Sequence, residues 1–248
     1  MSFDPQVFLD ALFSRTYLMG AMTAITLAIL VQVAACILGF FLALGRNSQR
    51  SWLSSLSAGY VWLFRAIPAL LILILIWNAL PQVIPVLKMS WFTPYMAAFF
   101  GLTLLETALM AEIFRSALNS ISPGQTLASR ALGLKPASTY WHVLIPQMVR
   151  VAIPPTGNQF IMTVKMTSLA SDISLQELLY TAAQDVSRTF SYAEYYSAAA
   201  VYYLVLVSIF MIGQNWLERR FSWKSTVSKK KRKVSLDTQQ LKEVAGVK

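Results

Sequence analysis

Five apolar segments, at about 17–44, 60–80, 94–114, 151–170 and 195–217, constrain this chain of 248 residues more than any other feature. Each approaches or exceeds the roughly 20 residues that an α-helix needs to cross the hydrocarbon core of a bilayer. Lipid offers the backbone no hydrogen-bond partners, so a spanning segment must bond within itself as a helix. Charged residues make up 13% of the chain, well below the roughly 25% of soluble domains. The sequence predicts an all-α integral membrane protein with five transmembrane helices.

The placement of Lys and Arg sets the expected orientation. With the N-terminus outside, Arg46 and Arg50 fall in the first inner loop and Arg115, Arg130, Lys135 and Arg150 in the second. The outer side then holds Arg15, Lys88 and Arg188 against Asp4, Asp10, Asp172, Glu177, Asp185 and Glu194. The topology is N-out, C-in. Residues 1–16 become a periplasmic N-terminal segment, 17–222 a five-span membrane domain, and 223–248 a basic, disordered cytoplasmic tail. Most of the net charge of +10 comes from that tail, whose run Lys229-Lys230-Lys231-Arg232-Lys233 suits anionic lipid. Because the basic residues line one membrane face, a nucleic-acid partner is excluded. The first 16 residues carry Asp4 and Asp10 and only Arg15, the wrong charge for a signal peptide, so the first span reads as an uncleaved anchor. The single cysteine, Cys36, forms no intrachain disulfide.

Between the third and fourth segments lies a polar interruption, about 116–150, that is dense in helix punctuation. Ser122 and Gln125 have capping-box spacing, Pro123 suits a first helical position and Gly133 a helix stop. Lys135 and Pro136 then allow a second short helix, which Pro146 is expected to end. Two short capped helices between spans make a rigid knob at the membrane surface.

These same residues carry a family resemblance. Gly124-Gln125, Arg130-Ala131-Leu132-Gly133-Leu134, Leu144-Ile145-Pro146-Gln147, Pro154-Pro155 and Gly157-Asn158-Gln159 resemble the coupling loop and following helix of ABC-transporter permease subunits. The polar amino-acid uptake branch of the bacterial importers is the nearest in pattern, and the likeness extends from roughly Thr16 to Phe221. It implies a type I importer fold in the bacterial inner membrane. It further implies that Gly124, Gln125, Leu127, Ala128, Arg130, Gly133, Leu134 and Pro146 couple to an ABC ATPase dimer. The other implied partners are a second permease subunit, a periplasmic solute-binding protein and a polar amino acid. Where the family has Glu-Ala-Ala in the loop, this chain has Leu127, Ala128 and Ser129. A copy lacking that carboxylate suits a heterodimer with a different permease, with a homodimer as the alternative. Met166 and Leu109 depart from the family pattern as well.

The chain has no Gly-x-x-x-x-Gly-Lys-Ser/Thr loop to bind nucleotide. Its one histidine, His142, excludes a multi-histidine metal site. No enzymatic activity, metal or cofactor is expected, and any ATP hydrolysis belongs to a separate chain. Ionisable residues within spans are expensive, roughly 2.5–3.5 kcal/mol at a helix centre, and are read as functional by default. Glu106 and Lys165 are the central ones, and Lys165 is followed by Met166, Thr167 and Ser168. One reading makes Glu106, Lys165, Thr167 and Ser168 the lining of a substrate path, with glutamate or aspartate as cargo. The other pairs Lys165 with a carboxylate or with helix-end carbonyls, so that it only holds the bundle. Glu112 and Arg115 are expected to fix the loop, and Arg65 to anchor the second span, with Pro68 in its first turns or at a kink.

Small residues in the first span, Gly20, Ala21, Ala24, Ala28, Ala34, Ala35 and Gly39, permit close helix contact within or between subunits. Residues 172–194 predict a surface helix that either caps the bundle or meets an external partner. Five spans do not divide into two equal repeats, so a pore axis requires two subunits. Two further classes remain open: an ion-coupled secondary transporter using Glu106 and Lys165 as a relay, and a membrane scaffold without solute flux.

Overall fold

The computed structural model describes residues 3–221, and every regular element within them is helical. The tail expected at 223–248 lies outside the described residues. A short helix α1 (Pro5–Leu12) is followed by the long α2 (Arg15–Arg46), which starts where Ser14 Oγ accepts from Thr16 N at 3.1 Å. Helix α3 (Ser51–Ala66) leads to α4 (Ala69–Ile74), which passes through a π-turn (Leu75–Ala79) into α5 (Leu80–Val83). The central α6 (Pro94–Asn119) begins at the Thr93 cap with Pro94 in its first turn.

Helix α7 (Pro123–Ala131) comes next, then α8 (Pro136–Thr139), a π-turn (Tyr140–Leu144) and α9 (Ile145–Met166). A 3₁₀ segment, Thr167–Ile173, leads to the amphipathic α10 (Leu178–Thr189), and α11 (Tyr192–Phe221) closes the chain.

Three of these helices, α2, α6 and α11, are long and apolar enough to cross a membrane, and a bent pair makes a fourth. Of the two places expected for Pro68, the first turns of the span or a kink, the structure has the second in an extreme form: Ser51–Ala66 and Ala69–Val83 meet at 101°. The cause is local. A residue before proline is pushed out of the α region, and Ile67 (ψ 132°) and Pro68 (ψ 138°) are both extended. Pro68 therefore separates two helices instead of lying inside one.

The frame is the pairing of α2 with α6. Here the small residues act within one chain, because a Cβ on Gly39 would stand 2.7 Å from Met110 Cβ and 3.0 Å from Ala111 N. Close backbone approach replaces the hydrophobic drive that lipid cannot supply between spans. Leu27, Val31, Leu73, Leu102 and Ile173 form one buried cluster between these helices, α4 and the 3₁₀ segment. Ala35, Met110, Met148 and Ala152 form another nearer α9.

Helix α9 is held differently. Pro154 and Pro155 interrupt its backbone bonding, and Gln214 Nε2 of α11 donates to the Pro154 carbonyl at 3.2 Å. Gly157 makes room for that glutamine, whose Cδ would lie 2.9 Å from a Cβ there.

Candidate functional site

The polar centre of the bundle is built by α2, α6 and α9. Glu106, on the inner face of α6, is fully buried, and Gln159 Nε2 donates to both its carboxyl oxygens, at 3.1 and 3.0 Å. One turn along α9, the Thr163 hydroxyl donates to the Gln159 carbonyl at 3.0 Å, with Gln32 Oε1 3.5 Å away on the other side. Gln32 Nε2 lies 3.3 Å from Met110 Sδ. Unsatisfied polar groups are costly in an apolar surround, so this chain of amides and hydroxyls stabilises the buried carboxyl and ties three helices together.

The other residues singled out for a path lie along the end of α9. Lys165 is exposed and has no carboxylate partner among the described residues. Thr167 is buried and donates to the Val164 carbonyl at 2.8 Å; Ser168, half-buried, donates to the Lys165 carbonyl at 2.8 Å. Lys165 is six residues beyond Gln159, about 9 Å along a helix axis, and no bond joins it to Glu106. The two ionisable residues thus occupy separate places. Along α9, Asn158, Met162 and Lys165 are all exposed at helical i, i+4, i+7 spacing, one uncovered stripe with an amide and an ammonium on it.

Toward the far end of α6 lies a second cluster, which joins three helices. Glu112 is bonded by Arg46 of α2 and by Arg115 Nη2 at 2.9 Å, with Arg65 Nη1 of α3 at 3.9 Å. Three guanidinium groups on one carboxylate join three helices just before the chain leaves α6. The expected pair Glu112 and Arg115 is joined by Arg46 and Arg65, and the bonds of this cluster tie α2, α3 and α6 to one another.

Of the two short capped helices that the punctuation implied, the first is present as α7, whereas α8 has no side-chain cap and runs on through the π-turn into α9. Ser122 Oγ accepts from Gly124 N at 3.3 Å, while Gln125 N bonds the Ser122 carbonyl at 3.0 Å. Helix α7 ends in a Schellman arrangement: Gly133 N bonds the Arg130 carbonyl at 2.9 Å and Leu134 N the Ser129 carbonyl at 3.0 Å. Gly133 takes φ +77°, the left-handed geometry that favours glycine.

Gly124, Gln125, Leu127, Ala128, Arg130 and Leu134 are all exposed. Pro146 corrects the expectation that it ends a helix, for it lies in the first turn of α9. The π-turn before it uses i→i−5 bonds, as in Ile145 N to the Tyr140 carbonyl, and a helix start tolerates the N–H that proline lacks. Between this loop, α2 and α3 lies an open, largely apolar cavity of about 1540 Å³ that includes Thr126 and Arg130.

Comparison with known proteins agrees with this arrangement. Residues 35–223 match the family described as "Binding-protein-dependent transport system inner membrane component", and the chain belongs to that family. It is 40% identical over 196 residues, 79% of this chain and 87% of the relative, to the Bacillus subtilis (strain 168) protein named "Probable amino-acid permease protein YxeN". It is 32% identical over 225 residues to the "Arginine transport system permease protein ArgU" of Corynebacterium glutamicum, 87% of this chain and 71% of that one.

A solved structure described as an amino acid ABC transporter with histidines superposes with a TM-score of 0.80 at 28% identity, over 89% of this chain and 100% of that one. The MetNI methionine ABC transporter shares the fold, with a TM-score of 0.69 at 20% identity. Within the family, this chain is a permease subunit of an amino-acid ABC importer, an integral membrane protein that works with a separate ATPase and is not itself an enzyme.

Proposed function

We propose that the chain crosses the bacterial inner membrane five times, N-out and C-in, and translocates a polar amino acid delivered by a periplasmic solute-binding protein. The divisions at residues 1–16, 17–222 and 223–248 belong to this reading. The five spans are α2, the bent pair α3 to α5, α6, α9 and α11. Closure of an ATPase dimer displaces the loop over 122–146, with Gly124, Gln125, Leu127, Ala128, Arg130, Gly133, Leu134 and Pro146 at or beside the contact. A second permease, different from this one, covers the exposed stripe of α9.

The observation that carries the reading is α7 itself. It is capped at both ends, exposed on seven of its nine residues, and joined to the end of α6 by three residues. A push on such an element moves the bundle instead of being lost in a flexible loop. Lys165 and Ser168 line the path, with Thr167 packed behind them and Glu106 behind Gln159 setting the position of α9.

Glutamate or aspartate is the proposed cargo, because an exposed, unpaired Lys165 ammonium offers a partner to a second carboxylate. Relatives named for arginine and for glutamine make a panel of competing amino acids the natural control.

The test is purification of the tagged chain with its companions, followed by uptake of radiolabelled amino acids into proteoliposomes. ATP-dependent uptake, competed by glutamate and aspartate and reduced by Lys165→Ala, is expected. Uptake driven by a proton gradient without ATP would move the protein to the ion-coupled class, and recovery of two identical permeases would remove the heterodimer.

A further inference from the structure

Helix α3 crosses from α2 to α6 before it turns by 101° into α4. Its Ser57 packs against Gly45 of α2. Three residues on, the Tyr60 hydroxyl donates to the Leu104 carbonyl of α6 at 3.0 Å, and Val61 packs on Ala108 and Ala111. The other side of α3 leaves Trp52, Leu56 and Trp62 exposed. Tryptophan is enriched where hydrocarbon meets water. Between α3, α2 and the loop lies the open cavity of about 1540 Å³. Pockets that enclose small molecules run to about 300–1,000 Å³, so this one is too large and too open to grip a single amino acid.

The cavity is graded along α2. Leu38, Phe41 and Leu42 line it first, then Asn47, Ser48 and Gln49 where the helix ends. From Leu38 to Asn47, about 14 Å along the axis, the wall changes from apolar to amide and hydroxyl. Helix α7 adds the Arg130 guanidinium. No acidic side chain lines the cavity among the described residues, and the sequence holds no Asp or Glu from Ala11 to Leu105 or from Ile113 to Ser171. Arg50 and Lys135, both exposed, are chain neighbours of the lining residues Gln49 and Pro136. The ligand that complements these walls has long apolar chains and an anionic head. The run Lys229-Lys230-Lys231-Arg232-Lys233 of this chain has the wrong charge for them.

We propose that this cavity holds an anionic phospholipid of the cytoplasmic leaflet, with its acyl chains against Leu38, Phe41 and Leu42 and its phosphate at Arg130. The inference rests on the N-out, C-in topology, which puts the end of α2 and the loop on the cytoplasmic side. Anionic lipid is drawn to basic residues at that surface, and burial of its chains adds to the attraction. Because the cavity opens between the loop and α3, a bound lipid bridges the two.

The experiment uses the full importer, purified through a tag on this chain, in phosphatidylcholine nanodiscs with a trace of phosphatidylglycerol bearing a diazirine in its acyl chain. Crosslinked peptides are mapped by mass spectrometry in wild type, Gly59→Ala, Gly59→Trp and Arg130→Gln. Gly59 lines the cavity and no atom lies within 4 Å of a Cβ there, so a tryptophan fills the space without moving α3. Thermal profiles measured alongside should match the wild type. Label should concentrate on residues 38–63 and 137–145, above the exposed stretch 204–212 of α11 that reports bulk lipid. Unlabelled phosphatidylglycerol should displace it and added phosphatidylcholine should not. Gly59→Trp should abolish the excess, Gly59→Ala should keep it, and Arg130→Gln should lower it about fivefold, equivalent to the ~1 kcal/mol of one basic residue at an anionic surface. Equal displacement by both lipids would overturn the anionic head. Label no stronger than on α11, as when a second permease fills the cavity, or undiminished in Gly59→Trp, would overturn the site. Topology is read separately, by an impermeant maleimide on Leu132→Cys in sealed vesicles of both orientations. Reaction from the outer side alone would overturn the N-out, C-in reading, whatever the lipid result.

Discussion

Helices α7 and α10 are both short and both amphipathic, and they meet opposite fates. Helix α10 turns Leu178, Ala182 and Val186 inward, at i, i+4, i+8 spacing, against the start of α2 and the aromatic face of α11. Its N-cap is a carboxyl: Glu177 accepts from Leu179 N at 2.9 Å and Tyr180 N at 2.7 Å, and Tyr203 donates its hydroxyl at 2.9 Å. Helix α7 is capped by a serine in water and turns its apolar side away. The chain covers one helix with its own residues and leaves the other for something else to cover. Damage to α10 should therefore appear as lost stability of the subunit, and damage to α7 as lost coupling in an intact one.

Gly20 gives the largest expected effect. A Cβ there would stand 2.9 Å from both the N and Cα of Leu178, and backbone cannot swing aside as a flexible side chain can. Gly20→Val should displace α10 and cost about 3 kcal/mol, the upper range of overpacking. The measurement is thermal unfolding in detergent; an unchanged midpoint would mean that α10 is not held against α2. Next is Glu177→Ala, which removes the cap and strands the Tyr203 hydroxyl. Cap loss costs about 1 kcal/mol and an orphaned buried donor about 1–3 kcal/mol; Tyr203 is only half-buried, so the loss should lie at the low end of the sum, about 2 kcal/mol.

Gly133→Val is the counterpart at α7. No atom lies within 4 Å of a Cβ there, so the penalty is only the left-handed backbone, about 1–2 kcal/mol confined to the loop. The unfolding midpoint should barely move, while amino-acid uptake per ATP hydrolysed in proteoliposomes should fall several-fold. If the midpoint fell as far as in Gly20→Val, the contrast between the two helices would be wrong.

The same contrast separates what the sequence discloses from what it hides. Punctuation is local, so Ser122, Pro123 and Gly133 announced α7, and the small residues around Gly39 announced a close helix pair. Proline misled where a neighbouring element changed its meaning: Pro146 reads as a stop until the π-turn over 140–144 makes it a start. Pro68 was legible as a kink or a first-turn residue, but the size of the bend, 101°, was not, because the length of an apolar run says nothing about a break inside it. The polar centre was half legible. Glu106 stood out as a charge within a span, but Gln159 lies 53 residues away and is uncharged, so no spacing pairs them. Arg46 and Glu112 are 66 residues apart and equally silent until the helices pack.

The smallest expected effect is on pH, and it concerns α10 alone. Burial pushes the Glu177 carboxyl above its ordinary value, with the hydrogen bonds from Leu179, Tyr180 and Tyr203 opposing that shift without cancelling it. A folded-state pKa above the unfolded one means that the folded chain binds the proton more tightly. The contribution is then fully present below the unfolded carboxylate pKa and is lost as pH rises through the higher folded value. The unfolding midpoint of the wild type should thus decline over that interval relative to Glu177→Gln, which cannot titrate. Helix α7 has no acidic residue, so no matching trend is expected from it. A wild-type midpoint that rose with pH relative to Glu177→Gln would mean that the three donors outweigh burial and that the cap works as a carboxylate.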